Sequence, residues 1–260
     1  MKNRRSLAAG KVGWTAFSLI LPLLILSAWL YVTKTEQVPA LLLPEPKRVL
    51  DEFARQLTVG TIVQDVAISL NRILKGYGLA VIFGGGLGVA MGMFVPAERF
   101  FSLTFTSIRQ IPMIAWVPLL VMWFGTGEAS KVAVIFIAAY FPIMMNTSSG
   151  IRRTDPKLIE VGRMYRLTPW RMFMKIYLPS ALPSIFVGLK LGLSISWMAV
   201  VGAEMIAASS GIGFRLNDAR ALMQFPIVFC GMFAIAIVGV LMDQILTLIS
   251  GAAAPWERKR

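Results

Sequence analysis

The chain has 260 residues, of which 57% are hydrophobic and only 15% charged, and its mean hydropathy is +0.70. A soluble globular domain carries about 25% charged residues, so this composition excludes one and predicts a chain embedded in a membrane. The net charge is +13, but there is no histidine and a single cysteine, Cys230, which excludes an intrachain disulfide and removes the commonest general base and metal ligand.

The first apolar run, residues 13–32, is long enough to cross a bilayer, because about 20 helical residues at 1.5 Å each span the hydrocarbon core of about 30 Å. It follows a basic N-terminal segment, as the apolar part of a signal peptide would, but no small-residue cleavage site of the A-x-A type is evident. We therefore interpret it as a retained first span.

The next stretch combines a polar connection with a second span. Residues 33–60 contain Pro39, Pro44 and Pro46 and are predicted to form an ordered loop or a short surface helix. Apolar residues recur every three or four positions over 61–77, which predicts an amphipathic helix. This helix is either a separate lead-in or the first part of one long tilted helix, so the second span is placed at 62–95.

Three glycines in this span, Gly84, Gly88 and Gly92, lie four residues apart and therefore on one helical face. Small residues at this spacing let a second membrane helix approach closely. Two interpretations are open: a packing contact between helices that move during function, or ordinary helix packing. The pattern alone favours ordinary packing.

Four further spans are predicted at residues 110–125, 130–147, 183–207 and 226–249. Pro112 and Pro118 fall in the third and predict a kinked helix beside a cavity or inside a bundle. Six spans place both termini on the same side of the membrane. Lys and Arg concentrate on that side, so we expect both termini in the cytoplasm of a bacterial inner-membrane protein. Topology thus explains most of the net charge, and no nucleic-acid partner is expected.

The loop at 152–178 is too long and too charged for a simple connection between spans. Asp155 with Pro156, and Thr168 with Pro169, each combine a helix N-cap residue with proline at the first helical position. These pairs predict two short cytoplasmic helices, the second of which ends before Pro179. The basic face of the loop is either a surface for lipid headgroups or a docking platform for a cytoplasmic protein.

The same loop resembles the EAA loop of bacterial ABC importer permeases. Glu160-Val161-Gly162 and Ile176-Tyr177-Leu178-Pro179 match that motif, whereas Arg166 stands where the family usually has glycine. In the family this loop forms a coupling helix that sits in a cleft of the ATPase subunit. The coupling residues that the resemblance implies are Glu160, Gly162, Arg163, Arg166, Ile176, Leu178 and Pro179.

Most of the remaining chain is similar to the sulfonate, taurine and nitrate branch of these permeases, and within it to aliphatic-sulfonate permeases. Long matches carry this resemblance: Leu43-Pro44-Glu45-Pro46, Arg109-x-Ile111-Pro112, Trp123-Phe124-Gly125, and Ala203-Glu204-Met205 followed by Ser210-Gly211-Ile212-Gly213. The resemblance implies an all-α fold of the type I ABC importer permease, with a single transmembrane domain over residues 1–260.

The resemblance also implies partners and an energy source. No phosphate-binding loop of the form G-x-x-x-x-G-K-[ST] is present, so ATP and Mg are expected on a separate ATPase and no cofactor or metal on this chain. Two ATPase copies, a second permease chain in a homodimer and a periplasmic binding protein complete the expected importer of a small anion, an aliphatic sulfonate or alternatively taurine, nitrate or another solute.

Polar and bulky residues inside the spans are candidates for the solute path. Lys190 could contact the solute, although extension of its side chain to the cytoplasmic headgroups or helix packing is favoured. Glu204 would repel an anion and is expected to cap a broken helix, pair with a cation of another span or form a gate. The full set of candidates is Trp116, Trp197, Ser194, Ser196, Lys190, Arg109 and Glu204.

Two other classes of protein compete with a permease. A secondary transporter or channel would predict inverted repeats or acidic proton relays within the spans, and neither is evident. A membrane enzyme would need a nucleophile with its base or a metal cluster, and the chain has no histidine and no G-x-S-x-G motif. Neither class accounts for the basic loop at 152–178.

Overall fold

The computed structural model describes residues 3–253, with side chains at Phe17 and from Ile20 onward. This part of the chain contains eleven α-helices and no β-strand, which confirms the predicted all-α class. The basic segments at the two ends of the chain, residues 2–11 and 257–260, were predicted to lie in the cytoplasm. They are outside the residues whose side chains the structure describes. The helices are Asn3–Lys34 (α1), Pro46–Val59 (α2), Thr61–Met93 (α3), Val95–Ile108 (α4), Met113–Phe124 (α5), Glu128–Arg152 (α6), Pro156–Met164 (α7), Pro169–Met172 (α8), Leu178–Ala207 (α9), Ile212–Ala221 (α10) and Phe225–Ala253 (α11).

The helices divide into two compact units. The first contains the segment that ends at Gly60 together with Asp218–Cys230. In this unit the Trp29 indole donates a hydrogen bond to the Pro44 carbonyl oxygen at 3.1 Å and stacks on Phe229, with 5.3 Å between ring centroids. The short surface helix predicted in residues 33–60 is present as α2 and ends at Gly60, whose φ of 82° glycine adopts without strain.

The second unit, Thr61–Asn217 with the chain from Gly231 onward, is built around α6. A Cβ atom placed on Gly88 of α3 would lie 2.6 Å from the Met144 carbonyl oxygen of α6, and one on Gly92 would lie 2.8 Å from Ile151 Cβ. A Cβ atom placed on Gly188 of α9 would lie 2.7 Å from Asn146 Cβ of α6. Glycine faces therefore hold α3 and α9 against α6, which confirms close packing at the predicted glycine face.

Helix α3 resolves the question of the amphipathic lead-in, because it runs without a break over 33 residues. At 1.5 Å per residue it is about 50 Å long, well beyond the hydrocarbon thickness of about 30 Å. The lead-in and the second span are thus one helix. In the described part of the chain, α3, α6, α11 and the stretch Pro169–Ala207 are each long and apolar enough to cross a membrane.

The third predicted span differs most from the structure. Helix α5 has only 12 residues, about 18 Å, and cannot cross a bilayer alone. It follows α4, which the sequence did not predict, at an angle of 95° across a short break. Pro112 lies in that break and disfavours helical geometry at Ile111, so one straight helix over 110–125 cannot form. We call residues 109–112 the elbow.

The second helix of the basic loop was predicted to end before Pro179, and this was wrong. A π turn, Phe173–Tyr177, joins α8 to α9, so the backbone stays helical through the proline. The Leu178 amide donates to the carbonyl oxygen of Phe173, five residues earlier, instead of the usual four. The wider turn accommodates the ring of Pro179, which in a regular α-helix would clash with the carbonyl four residues before it.

Candidate functional site

The loop between α6 and α9 begins both of its helices as the sequence predicts. The Asp155 carboxylate accepts a hydrogen bond from the Lys157 amide at 2.9 Å and caps α7, with Pro156 at the first helical position. The Thr168 hydroxyl accepts one from the Arg171 amide at 3.4 Å and caps α8, again ahead of a proline. Side-chain caps of this kind satisfy amide groups that have no partner inside the helix.

Arg166 completes the turn after α7 in a conformation that favours glycine. Its φ is 50°, in the left-handed region. The Leu167 amide donates to the Gly162 carbonyl oxygen at 3.1 Å, and the Arg166 amide donates to that of Arg163 at 2.9 Å, which are the bonds that end a helix at a left-handed residue. The turn geometry is therefore kept without glycine, at a cost of about 1–2 kcal/mol for a residue with a Cβ atom.

Gly162 explains the spacing between the two halves of the predicted motif. It is buried, and a Cβ atom at this position would lie 2.5 Å from both Ile176 Cδ1 and Met172 Sδ. Helix α7 thus packs directly on α8 and the π turn at this point. Glu160 and Arg163 are exposed, while Ile176, Leu178 and Pro179 are partly buried where the π turn enters α9.

The loop also exposes large apolar side chains that the sequence arguments did not single out. Met164 is 83% exposed, Tyr165 78% and Trp170 65%, although basic residues surround all three. Clustered apolar side chains of this size on a charged surface are typical of a protein-binding site. We call these residues the docking face: Leu158, Val161, Met164, Tyr165 and Trp170.

A cavity of about 540 Å³ lies where the elbow, α6 and α9 meet, and we call it the elbow cavity. Two of the predicted path residues, Trp116 and Arg109, line it. Its walls are mainly apolar, and none of the described residues that line it is acidic. The lining includes Met113, Trp116, Phe141, Asn146, Leu191 and Ile195.

Arg109 supplies the positive charge of this cavity. It lies on the elbow, is exposed, and has Nη1 3.2 Å from Met145 Sδ. Met145 is seven residues before the end of α6, about 10 Å along the helix axis. The Arg109 guanidinium is therefore level with the interior of α6 and not beyond its end, where a cation that only follows the positive-inside rule would lie.

The other predicted path residues do not line the elbow cavity. Lys190, Ser194 and Trp197 line a separate groove of about 210 Å³ between α9 and α11. There the Lys190 ammonium donates to the Thr247 hydroxyl at 2.6 Å, and the Trp197 indole donates to the Ile235 carbonyl oxygen at 3.0 Å. These bonds join two helices. Ser196 is buried, and its hydroxyl has no hydrogen-bond partner in the described structure.

Glu204 is the centre of a buried ionic network and is itself only 1% exposed. Its carboxylate accepts hydrogen bonds from Arg72 Nη1 at 2.7 Å, from the Ser69 hydroxyl at 2.8 Å and from the Gly213 amide at 2.9 Å. Arg72 comes from α3, so the predicted pairing with a cation of another span is confirmed. The Gly213 contact also places the charge at the start of α10, where backbone amides that have no acceptor inside the helix favour an anion.

Arg72 extends this network to two further elements and is 3% exposed. Its Nη2 lies 2.5 Å from a Glu128 carboxylate oxygen at the start of α6, and its Nη1 donates to the Ser210 carbonyl oxygen at 2.8 Å. The network therefore ties the end of α9 to α3, to α6 and to the segment before α10. Every charged member has an opposite charge or several hydrogen bonds, as burial of charge requires.

Comparison with known proteins decides the family. Residues 66–255 match the family described as "Binding-protein-dependent transport system inner membrane component". The chain belongs to this family. The predicted resemblance to ABC importer permeases of the sulfonate, taurine and nitrate branch is thereby confirmed, since relatives of that branch are also found.

Three relatives of this permease place it within the branch. It is 33% identical to the putative aliphatic sulfonates transport permease SsuC of Bacillus subtilis over 95% of this chain and 89% of the relative. It is 31% identical to the taurine transport permease TauC of Escherichia coli, over 90% and 86% of the two chains. The nitrate import permease NrtB of Leptolyngbya laminosa is 33% identical, over 81% of this chain and 76% of NrtB.

A solved structure of another transporter has a similar fold. A chain of the MetNI methionine ABC transporter in an inward-facing conformation superposes with a TM-score of 0.67 and 18% identity, over 76% of this permease and 98% of that chain. The likeness concerns the fold alone and confirms the predicted type I ABC importer permease fold.

Arg72 is the member of the ionic network that sequence reasoning missed most clearly. A signal was present, because Arg72 is a cation inside an amphipathic helix that runs into a membrane span, where an ionisable side chain needs a partner. Its partner Glu204 is 132 positions away, so spacing could not pair the two residues.

Proposed function

We propose that this permease is the membrane subunit of an ATP-driven importer that moves a small anion, foremost an aliphatic sulfonate, from the periplasm to the cytoplasm by alternating access. One observation carries the proposal: a continuous helix joins the docking face to the elbow cavity. Trp170 lies on α8, the π turn joins α8 to α9, and Leu191 and Ile195 of α9 line the cavity. A displacement of the loop is therefore transmitted to the cavity wall.

The chemistry of the elbow cavity supports a sulfonate with an alkyl part. Arg109 offers a positive charge to an oxyanion, and Trp116, Phe141 and Leu191 offer apolar surface to a hydrocarbon tail. The SsuC relatives transport aliphatic sulfonates according to their names, which agrees with this lining. The alternative is the same role for taurine, nitrate or another small solute, as the names of TauC and NrtB suggest.

The proposed partners follow from the family and from the docking face. Two copies of a separate ATPase would each receive one coupling loop and supply the ATP and Mg sites. A second permease chain, in a homodimer, and a periplasmic binding protein would complete the importer. In the orientation we propose, both termini and the loop between α6 and α9 face the cytoplasm, as their Lys and Arg content favours.

Within the loop we propose distinct roles for the residues that match the motif. Glu160 and Arg163 are exposed and would contact the ATPase, together with the docking face. Gly162 and Ile176 would transmit the force, because α7 rests on the π turn at this pair. Arg166 holds the turn between them through its left-handed conformation.

The test is ATP hydrolysis by the complex in liposomes, with its own ATPase and binding protein. We expect binding protein loaded with an aliphatic sulfonate to stimulate hydrolysis, and Glu160→Ala or Arg163→Glu to abolish the stimulation without loss of folded permease. Lys34→Glu, an equal charge reversal at the exposed end of α1, is the matched control and should keep the stimulation. Solute uptake along a gradient by the permease alone would instead establish a secondary transporter or channel.

A further inference from the structure

A second cavity, of about 440 Å³, lies beside the elbow cavity towards the end of α6, and we call it the end cavity. The two cavities share Met145 and Ser149, so they adjoin along α6. Helices α4 and α6 supply most of its wall. Its polar lining residues are Glu98, Ser102, Thr106, Ser148, Ser149, Arg152 and Arg153.

The charges around the end cavity leave one arginine free. Arg152 forms an ion pair with Glu98, which neutralises both side chains. Arg153 is exposed and makes no ion pair within the described part of the chain. The cavity wall therefore carries a net positive charge that no protein group compensates.

Four residues with hydroxyl groups line the same space from two helices. Ser102 and Thr106 lie four residues apart and share one face of α4, and Ser148 and Ser149 lie on α6. None of the four hydroxyls makes a hydrogen bond to the protein in the described residues. Ser107, which is not part of this cavity, shows the usual alternative, because its hydroxyl donates to the Leu103 carbonyl oxygen at 3.0 Å.

We propose that the end cavity is an oxyanion site on the cytoplasmic side of the transport path, at which a sulfonate or sulfate ion binds to Arg153 and to these hydroxyls. The inference rests on the proposed function for the direction of transport, but the binding chemistry stands on the cavity itself. A sulfonate group carries three acceptor oxygens and one negative charge, which matches one guanidinium and several hydroxyl donors. Phosphate groups of anionic lipids share this chemistry.

The position of the site gives it a role after passage through the elbow cavity. Arg152 ends α6, and the proposed cytoplasmic loop follows at once, so the end cavity lies between the elbow cavity and the cytoplasm. An anion that leaves the elbow cavity along α6 reaches Ser149 first, because this residue lines both spaces. Solute that has accumulated in the cytoplasm occupies the same site and slows further import.

Binding of methanesulfonate to the assembled permease–ATPase complex in nanodiscs, without binding protein, tests the site by calorimetry. We expect saturable binding that Arg153→Gln weakens about tenfold, because one charge-assisted contact is lost. Thr106→Val removes a hydroxyl at nearly constant volume and should weaken binding severalfold. Arg99→Gln is the matched control, since Arg99 is an exposed arginine near the start of α4 that does not line the cavity, and should leave the affinity unchanged.

The outcomes separate this inference from the proposed function. Absence of saturable binding to the wild-type complex, or equal affinities of Arg153→Gln and Arg99→Gln, overturns the site even if binding-protein-dependent sulfonate uptake is measured in liposomes. Retained binding with the expected variant pattern, but no uptake of any sulfonate, overturns the function and keeps the site. Loss of methanesulfonate affinity in nanodiscs that contain phosphatidylglycerol, relative to phosphatidylcholine alone, would assign the site to lipid phosphate and overturn the transport role.

Discussion

The two ends of α9 differ in the burial and pairing of the side chains around them. At its C-terminal end, Glu204 is buried in a network in which every charge has a partner, and α9 is tied there to α3 and α6. At its N-terminal end the helix continues into the π turn and the docking face, where Trp170 and Tyr165 remain largely exposed. The difference indicates that the network fixes one end of the helix within the permease, whereas the other end leaves large apolar side chains exposed.

The largest effect is expected from disrupting the ionic network at the C-terminal end of α9. Glu204→Ala leaves the Arg72 guanidinium buried with only part of its compensating charge, which costs about 3–5 kcal/mol of folding free energy. We expect the yield of folded permease and its melting temperature in detergent to fall strongly. Glu45→Ala, at an exposed position outside the network, is the control and should change neither. A melting temperature equal to that of the wild type would show that the network does not stabilise the fold.

The next largest effect is expected at Gly162, where α7 packs on α8 and the π turn. Gly162→Ala places a Cβ atom 2.5 Å from Ile176 Cδ1 and Met172 Sδ, so α7 must shift, at a cost of about 1–3 kcal/mol. We expect most of the solute-stimulated ATPase activity to be lost while the permease still assembles in the membrane.

A helical glycine in open space provides the control for this change. A Cβ atom on Gly78 of α3 meets no atom within 4 Å, so Gly78→Ala should preserve coupling and slightly raise stability, because alanine favours a helix by about 1 kcal/mol over glycine. Equal ATPase stimulation in the two variants would rule out a specific role for the contact between Gly162 and Ile176.

A third variant tests the docking face, beside the N-terminal end of α9, without altering the fold. Trp170→Ala removes the largest side chain of the docking face, and because Trp170 is 65% exposed, the stability of the isolated permease should change by less than about 0.5 kcal/mol. Association with the ATPase should weaken by about 2 kcal/mol, as for a central aromatic residue of an interface. Trp123→Ala, at a tryptophan that is 61% exposed outside the loop, should leave the measured affinity for the ATPase unchanged.

The smallest effect is expected at the turn after α7. Arg166→Gly removes the Cβ atom from a residue with a φ of 50° and should stabilise the loop by about 1 kcal/mol. Arg166→Ala removes the same charge but keeps the Cβ atom, so it should give no comparable gain. Melting temperatures of the two variants separate backbone strain from charge, and a lower value for Arg166→Gly than for Arg166→Ala would contradict the strain.

Local chemistry made part of this structure predictable from sequence. The caps at Asp155 and Thr168 and the glycine face of α3 depend on neighbouring residues or on helical spacing, and all three are present in the structure. The bent pair α4 and α5 was missed because hydropathy records apolar character but no direction, so a 95° bend at the elbow left no signal beyond Pro112.

The other features that the sequence did not predict have a common physical cause, since each depends on the relative position of groups that sequence rules treat separately. The continuity of α8 with α9 depends on a hydrogen bond over five residues, which the usual rule for proline does not consider. The pairing of Arg72 with Glu204 depends on the packing of α3 beside α9. The free hydroxyls of the end cavity become visible only when α4 and α6 face each other.

The π turn has a mechanical consequence for the permease. Pro169–Ala207 forms a 39-residue stretch that is held at Glu204, so it can act as a lever with its fulcrum at the buried network. Trp170 lies about 51 Å from the fulcrum along the helix axis and Ile195 about 14 Å, if the helix is straight. A displacement at Trp170 would thus be reduced almost fourfold at Ile195 in the cavity wall, and the force there would be larger by the same factor.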